Sequence, residues 1–378
     1  MIVWAQGTVT ELTGGWPGAV ELRVRRVDTG RVVRALAYTD LMAAPRPEDQ
    51  VLLNVAALDL GLGTGGYALV VAVTDDHGAP TGQPAAPRGH LVKARYTPLQ
   101  AMVAGADEQG SPYHAELAQA DDLAGLVVLT ADLHSALTPA LAAIAHDRPG
   151  TRVVYLMSDH GALPLAFSRS VAQLRDAGWL TATVTAGQAY GGDLESVNVH
   201  SGLLAAKVAL GAEVVILTQG PGNLGTGTRW GFSGVACGEA VNAVSTLGGR
   251  PVGALRISGA DQRSRHRGIS HHSCTAYGRV ALRPADLALP YLAGASTLRG
   301  IHGLDAVAAL AAEVEQVAES TLAGDPPGHR LVGVTLDGLD QALLRSPVPM
   351  STMGRGLHQD PAYFLASAAA GRLAARLV

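Results

Sequence analysis

Five short stretches of this chain concentrate side chains able to hold or transfer charge. The first contains Asp132, His134 and Ser135. The second is Asp159-His160-Gly161. The third runs from Gly191 and Gly192 through Asp193 to Glu195. The fourth is a glycine-rich run holding Gly222, Gly225, Thr226, Gly227, Thr228 and Arg229. The fifth begins at Arg256 and includes Asp261, Arg263, Arg265, His266, Arg267, Ser270, His271 and His272. Carboxylates and imidazoles can move protons near neutral pH. Guanidinium forks match phosphate and carboxylate. Closely spaced glycines let backbone N–H groups turn toward an anion.

Each stretch also has a plain reading. The fourth run is neither GxGxxG nor GxxxxGK[ST], so it carries no nucleotide-binding motif, and it reads equally as a connection needing positive φ. The arginines of the fifth can form a solvated charge run paired with Asp261. His271 and His272 are neighbours, so in an extended segment their rings diverge and one enters the cleft. With His134, Asp159, His160, Asp193 and Glu195 they offer donors for a divalent metal, yet no HxH, HExxH or HxxxH pair is present. Asp193 and Asp132 each read as carboxylates opening a helix. Asp159 directly follows an apolar strand, where a carboxylate is costly without a task or a partner, and it ranks first among the acids. The expected catalytic set is Asp159, Asp193, His271 and His272. The expected ligand-binding set is His134, Ser135, Gly191, Gly192, Glu195, Gly222, Gly225, Thr226, Gly227, Thr228, Arg229, Arg256, Asp261, Arg263, Arg265, His266 and Ser270; the metal is left open.

The elements that position these groups follow from periodicity. Residues 1–92 show strand patterns over Ile2–Glu11, Ala19–Val27, Arg31–Thr39, Gln50–Ala57 and Tyr67–Thr74, which fit a small barrel of SH3 or OB type. Asp75–Arg88 reads as a linker or exposed loop. Within the head, Gly61–Gly66 reads as a wide hairpin or a loop over the cleft. From about Leu123, short Val/Ile/Leu runs alternate with Ala-rich helical stretches. Continuous apolar strands between helices indicate a parallel sheet covered on both faces. The expected body, residues 93–378, is thus a Rossmann-like, three-layer α/β domain. It has helices over Glu195–Leu210 and Ser233–Leu247 and a strand over Pro251–Ile257. The five polar stretches all follow strands, and ligands bind outside the carboxyl ends of such strands. Ser346–Gly356 reads as a strap over the core.

Composition narrows the classes. Of 378 residues, 48% are hydrophobic and 16% charged, which excludes disorder and predicts a large core. A net charge of −4 argues against a dedicated nucleic-acid binder. Two cysteines, Cys237 and Cys274, exclude a disulfide scaffold. Lys93 and Lys207 are the only lysines, leaving little room for lysine chemistry. No apolar run has the length of a membrane span, and the N-terminus lacks a signal-peptide pattern, so the expected location is cytoplasmic. The apolar surplus suggests a homodimer.

Longer motifs carry a resemblance: LGLGTGGY (60–67), YTPLQ (96–100), SPYH (111–114), LHS (133–135), ALPLAFS (162–168), YGGDLESVN (190–198), GPGNLGTGTRWGFSG (220–234), LGGRPVG (247–253), RIS (256–258), GISHHS (268–273) and TMGRG (352–356). Through these the chain resembles the domain of unknown function 3866 family over nearly its whole length. The resemblance implies a shared architecture and no catalytic assignment. Members of that family often carry a small residue in place of His160 and a His in place of Gln188, which favours Asp159 and Asp193. The leading expectation is an enzyme acting on a small anionic, perhaps phosphorylated, metabolite. The alternatives are a non-catalytic sensor of a nucleotide-like effector, and an RNA-associated protein using Arg23, Arg25, Arg26, Arg31 and Arg34 of the barrel.

Overall fold

A computed structural model describes residues 2–63, 65–75, 77–81 and 89–378. It forms two compact units, Met1–Arg88 and Gly89–Val378. This division precedes the break expected between residues 92 and 93. The reason is local: Leu91–Lys93 pairs antiparallel with Ala101–Val103 inside the second unit. Of the expected linker Asp75–Arg88, residues 76 and 82–88 lie outside the described residues.

The first unit is a closed five-stranded barrel: β1 (Trp4–Trp16), β2 (Ala19–Arg26), β3 (Val32–Tyr38), β4 (Gln50–Asn54) and β5 (Ala68–Thr74). Alternation drives it. In β2, Leu22 and Val24 are buried while Arg23 and Arg25 point outward. Register shifts in the long β1 let it bend between β2 and β4, and parallel pairing of Ala35 with Ala68 and Leu36 with Leu69 closes the sheet. The run Gly61–Gly66 joins the antiparallel β4 and β5, with Thr64 outside the described residues. Of the barrel arginines, Arg26 is buried between Asp28 and Asp59, and Arg34 lies over the Tyr67 ring.

The second unit is an α/β fold. Its main elements are β6 (Val127–Ala131), α1 (Leu137–Asp147), β7 (Val153–Ser158), α2 (Arg169–Asp176), β8 (Ala182–Ala186), β9 (Leu194–Ser196), α3 (Val199–Val208), β10 (Val214–Gln219), α4 (Ala236–Thr246), β11 (Arg250–Ala254), α5 (His271–Thr275), β12 (Asp286–Pro290), α6 (Ala311–Leu322), β13 (Arg330–Val334) and α7 (Pro361–Arg376). The strands form an eight-stranded parallel sheet in the order β9-β8-β7-β10-β6-β11-β12-β13. Both faces are covered. Leu129, Tyr155 and Ile216 pack with α1 and α7, whereas Val128, Leu156 and Val215 pack with α3 and α4. With few aromatics, the core closes by near approach of small residues. A Cβ built on Gly371 of α7 would stand 2.1 Å from the Ala140 carbonyl of α1.

Three local expectations are corrected. Glu195 lies in the edge strand β9, not in a helix, because Asn198 and Ser201 form a capping box that starts α3 later. Asp193 therefore opens no helix. His271 and His272 begin the helix α5, not an extended segment, because the Ser270 hydroxyl caps it by accepting from the His272 N–H. The expected strand Pro251–Ile257 ends at Ala254, and β12 had no sequence expectation.

Candidate functional site

The chain leaves β6 toward β7 and leaves β10 toward β11, in opposite directions across the sheet, and β6 and β10 are neighbours. Such a reversal opens a crevice at the carboxyl ends of the strands. Asp132 follows β6 there, Gln219 ends β10, and Arg256 stands just beyond β11.

Asp132 is 4% exposed. Its carboxylate lies 3.2 Å from His272 Nδ1 and 3.6 Å from Arg256 Nη1. Burial alone would raise its pKa, but the His272 hydrogen bond and the Arg256 charge outweigh burial and hold it below the ordinary carboxylate value. Arg256 Nη1 also lies 3.0 Å from His272 Nδ1. His266, His271 and His272 pack ring against ring, with centroids 4.5–4.9 Å apart. Phe232 stacks flat on His272 at 3.7 Å. His266 Nδ1 pairs with the Ser270 hydroxyl at 2.7 Å. Burial, followed by the Arg256 charge, pushes His266 down to about 3. Burial, followed by the neighbouring His272, pushes His271 down to about 4. The expectation that only one of the paired histidines turns inward is thus corrected: the helical start of α5 gathers both with His266.

Around this centre lies a balanced charge network. Asp261 accepts from Arg263 Nε at 2.9 Å and Nη2 at 2.7 Å, and these bonds with Arg263 hold its carboxyl well below the usual range. Arg355, from a two-strand ribbon of Ser351–Thr352 with Arg355–Gly356, reaches Asp261 at 3.4 Å and Asp360 at 3.1 Å. Asp360 also accepts from the Ser258 hydroxyl at 2.6 Å. The expected strap is therefore tied to the rim, and Thr352 meets Ser135, which in turn pairs with Tyr363 at 2.7 Å.

The fourth stretch folds onto the fifth. Gly225 bridges to Phe232, and a Cβ on Gly227 would stand 3.4 Å from Arg265 Nη2. Gly222 and Gly227 have positive φ, as the plain reading of this loop required. The amides of Leu224, Thr226 and Gly231 bond within the loop, and the Thr226 and Thr228 hydroxyls meet each other at 3.1 Å. The exposed side chains of Arg229, Arg265 and Arg267 have no ion-pair partner among the described residues.

The remaining expected residues are held elsewhere. Asp159 accepts from the Gln188 N–H at 3.0 Å and lines a cavity of about 320 Å³ with His160, Asn198, His200 and Glu239. Asp193 accepts from the Thr183 N–H and hydroxyl and pairs with Arg175. Glu195 accepts from the Thr185 hydroxyl and the Gly191 N–H, with Gly192 packed against Thr185. Its carboxylate lies 3.2 Å from the fully buried Lys93 ammonium. His134 is a hydrogen-bonded core histidine between Tyr155 and Ser168, pushed down to about 4 by burial. A metal set combining His134, Asp159, Asp193 and Glu195 is therefore not assembled; the gathered donors are His266, His271 and His272.

Gln219, Asn223, Arg355 and Asp360 had no site role in the sequence reading, which took Asp132 as a helix-opening carboxylate and gave Lys93 no part. For Asp132 a signal existed: like Asp159, it follows an apolar strand. No curated protein matches the chain. A family model described as a protein of unknown function (DUF3866) matches residues 34–371.

Proposed function

Because the chain belongs to the domain of unknown function 3866 family, a family without an assigned reaction, we propose from the site itself that it is an enzyme acting on a small anionic metabolite at the crevice between β6 and β10. The observation that carries this reading is the convergence of Asp132, Arg256, His266, His271 and His272 where the chain's crossovers change direction across the parallel sheet. Two buried polar atoms there, Gln219 Oε1 and His271 Nε2, have no hydrogen-bond partner among the described residues, so each is available to a ligand. Arg229, Arg265 and Arg267 supply surplus positive charge on the loops above. Arg263 and Arg355 are neutralised by Asp261 and Asp360 and serve to hold the rim. An anion would be drawn by the unpaired arginines and present its reacting end to the buried histidines.

The test titrates inorganic phosphate against the full chain by calorimetry, then incubates the protein with sugar phosphates and nucleotides. Phosphate should bind, and the pair Arg229→Ala with Arg265→Ala should weaken it about tenfold, or roughly 1.4 kcal/mol. Unchanged phosphate affinity in that variant overturns the anion site. Binding with no consumption of any compound replaces the enzyme with a sensor.

A further inference from the structure

We propose that His266, His271 and His272 bind one divalent transition-metal ion at the floor of this crevice. The inference rests on the reading of the rim as a reactive centre, and it adds what would activate a substrate or water there. One ring nitrogen from each histidine lies within 4.8 Å of the others. Three imidazoles with an open fourth position form a common catalytic zinc arrangement, and nitrogen donors favour zinc, cobalt, nickel or copper over magnesium and calcium. At about 2.0–2.1 Å from a tetrahedral ion the nitrogens must stand about 3.4 Å apart, so binding draws the rings together.

Independent observations point to a ligand. His271 Nε2 is buried without a hydrogen-bond partner among the described residues, which leaves it free to ligate. The other rings are oriented from behind. His266 Nδ1 is engaged by Ser270 at 2.7 Å, which leaves Nε2 for a metal. His272 Nδ1 lies 3.2 Å from the Asp132 carboxylate, the kind of second-layer partner that orients a ligating imidazole. Gln219, 4% exposed, donates its amide N–H to the Asn223 Oδ1 at 3.2 Å and has an Oε1 with no partner among the described residues. That acceptor suits a donor such as a metal-bound water. Arg256 brings a positive charge close to His272, and Asp132 and Asp261, 3.6 and 3.9 Å from its guanidinium, offset it.

The experiment strips the full chain with a chelator and titrates it with Zn²⁺ by calorimetry and with Co²⁺ by visible absorption. One Zn²⁺ per chain should bind, and Co²⁺ should give the intense bands of a tetrahedral site. His271→Ala should weaken Zn²⁺ at least tenfold. His266→Gln, with circular dichroism to verify folding, gives the same readout should the alanine variant not fold. His134→Gln, at a histidine outside the cluster, should bind like the wild type. Absence of stoichiometric binding, or equal Zn²⁺ affinity in a folded His266→Gln protein, overturns the proposal. Arginine-dependent phosphate binding that persists without Zn²⁺ binding removes the metal and leaves the proposed function standing; Zn²⁺ binding without phosphate binding does the reverse.

Discussion

Lys93→Met tests the fold at its most unusual side chain. The Lys93 ammonium is fully buried and donates to the carbonyls of Gly187, Ala189 and Ser196 at 2.8, 2.8 and 3.1 Å. It also balances Glu195 at 3.2 Å. Methionine keeps the length and removes every donor. The variant leaves a carboxylate 7% exposed without its counter-charge, and three carbonyls lose a donor. Breaking a buried ion pair from one side costs about 3–5 kcal/mol, and that is the loss expected in urea denaturation. The double variant Lys93→Met with Glu195→Gln should recover part of it, because no buried charge remains. The pH dependence has a definite sign. Burial already raises the Glu195 pKa, and without Lys93 it rises further above its ordinary 4.5. A carboxyl with a raised folded pKa loses stability as pH climbs, so Lys93→Met should weaken, relative to wild type, from about pH 4.5 upward. A loss below about 1 kcal/mol, or a loss independent of pH, would show that Lys93 is not the clamp described here.

Two further predictions follow from the same packing. Gly371→Ala places a methyl 2.1 Å from the Ala140 carbonyl and should cost about 1–3 kcal/mol by forcing α1 and α7 apart, read as a lower urea midpoint. His134 has a folded pKa of about 4 against an ordinary 6.5, so between those values the unfolded chain holds a proton that the folded one does not. Stability should therefore fall as pH drops through that window, by up to about 3 kcal/mol, and His134→Gln should flatten the slope; parallel slopes in the two proteins would refute the assignment.

The parts legible in sequence were those fixed by near neighbours. Alternation located the barrel strands, and uninterrupted Val/Ile/Leu runs located β6, β7, β8 and β10, because both faces of that sheet are buried. The fourth and fifth stretches were recognised as polar connections at one strand edge, and they do meet at Gly227 and Arg265. What sequence left open was set by distant partners. Asp132 and Asp159 occupy equivalent places after their strands, yet only Asp132 meets Arg256 and His272, from a segment more than a hundred residues away. Glu195 was drawn into a helix by the apolar run after it, and only pairing of β9 with β8 places it in the sheet. Lys93 offered no local clue, since its partners lie 94–103 residues further along.

The ribbon around Arg355 and the helix α7 also constrain how the protein is made. Arg355 and Asp360 complete the rim, and α7 covers α1, yet all three leave the ribosome after every other part of the site. A nascent chain ending short of residue 351 carries Asp261 without Arg355 and an α1 face open to water. The crevice is therefore a late product of synthesis, and premature termination there should yield an aggregation-prone fragment instead of a partly active protein.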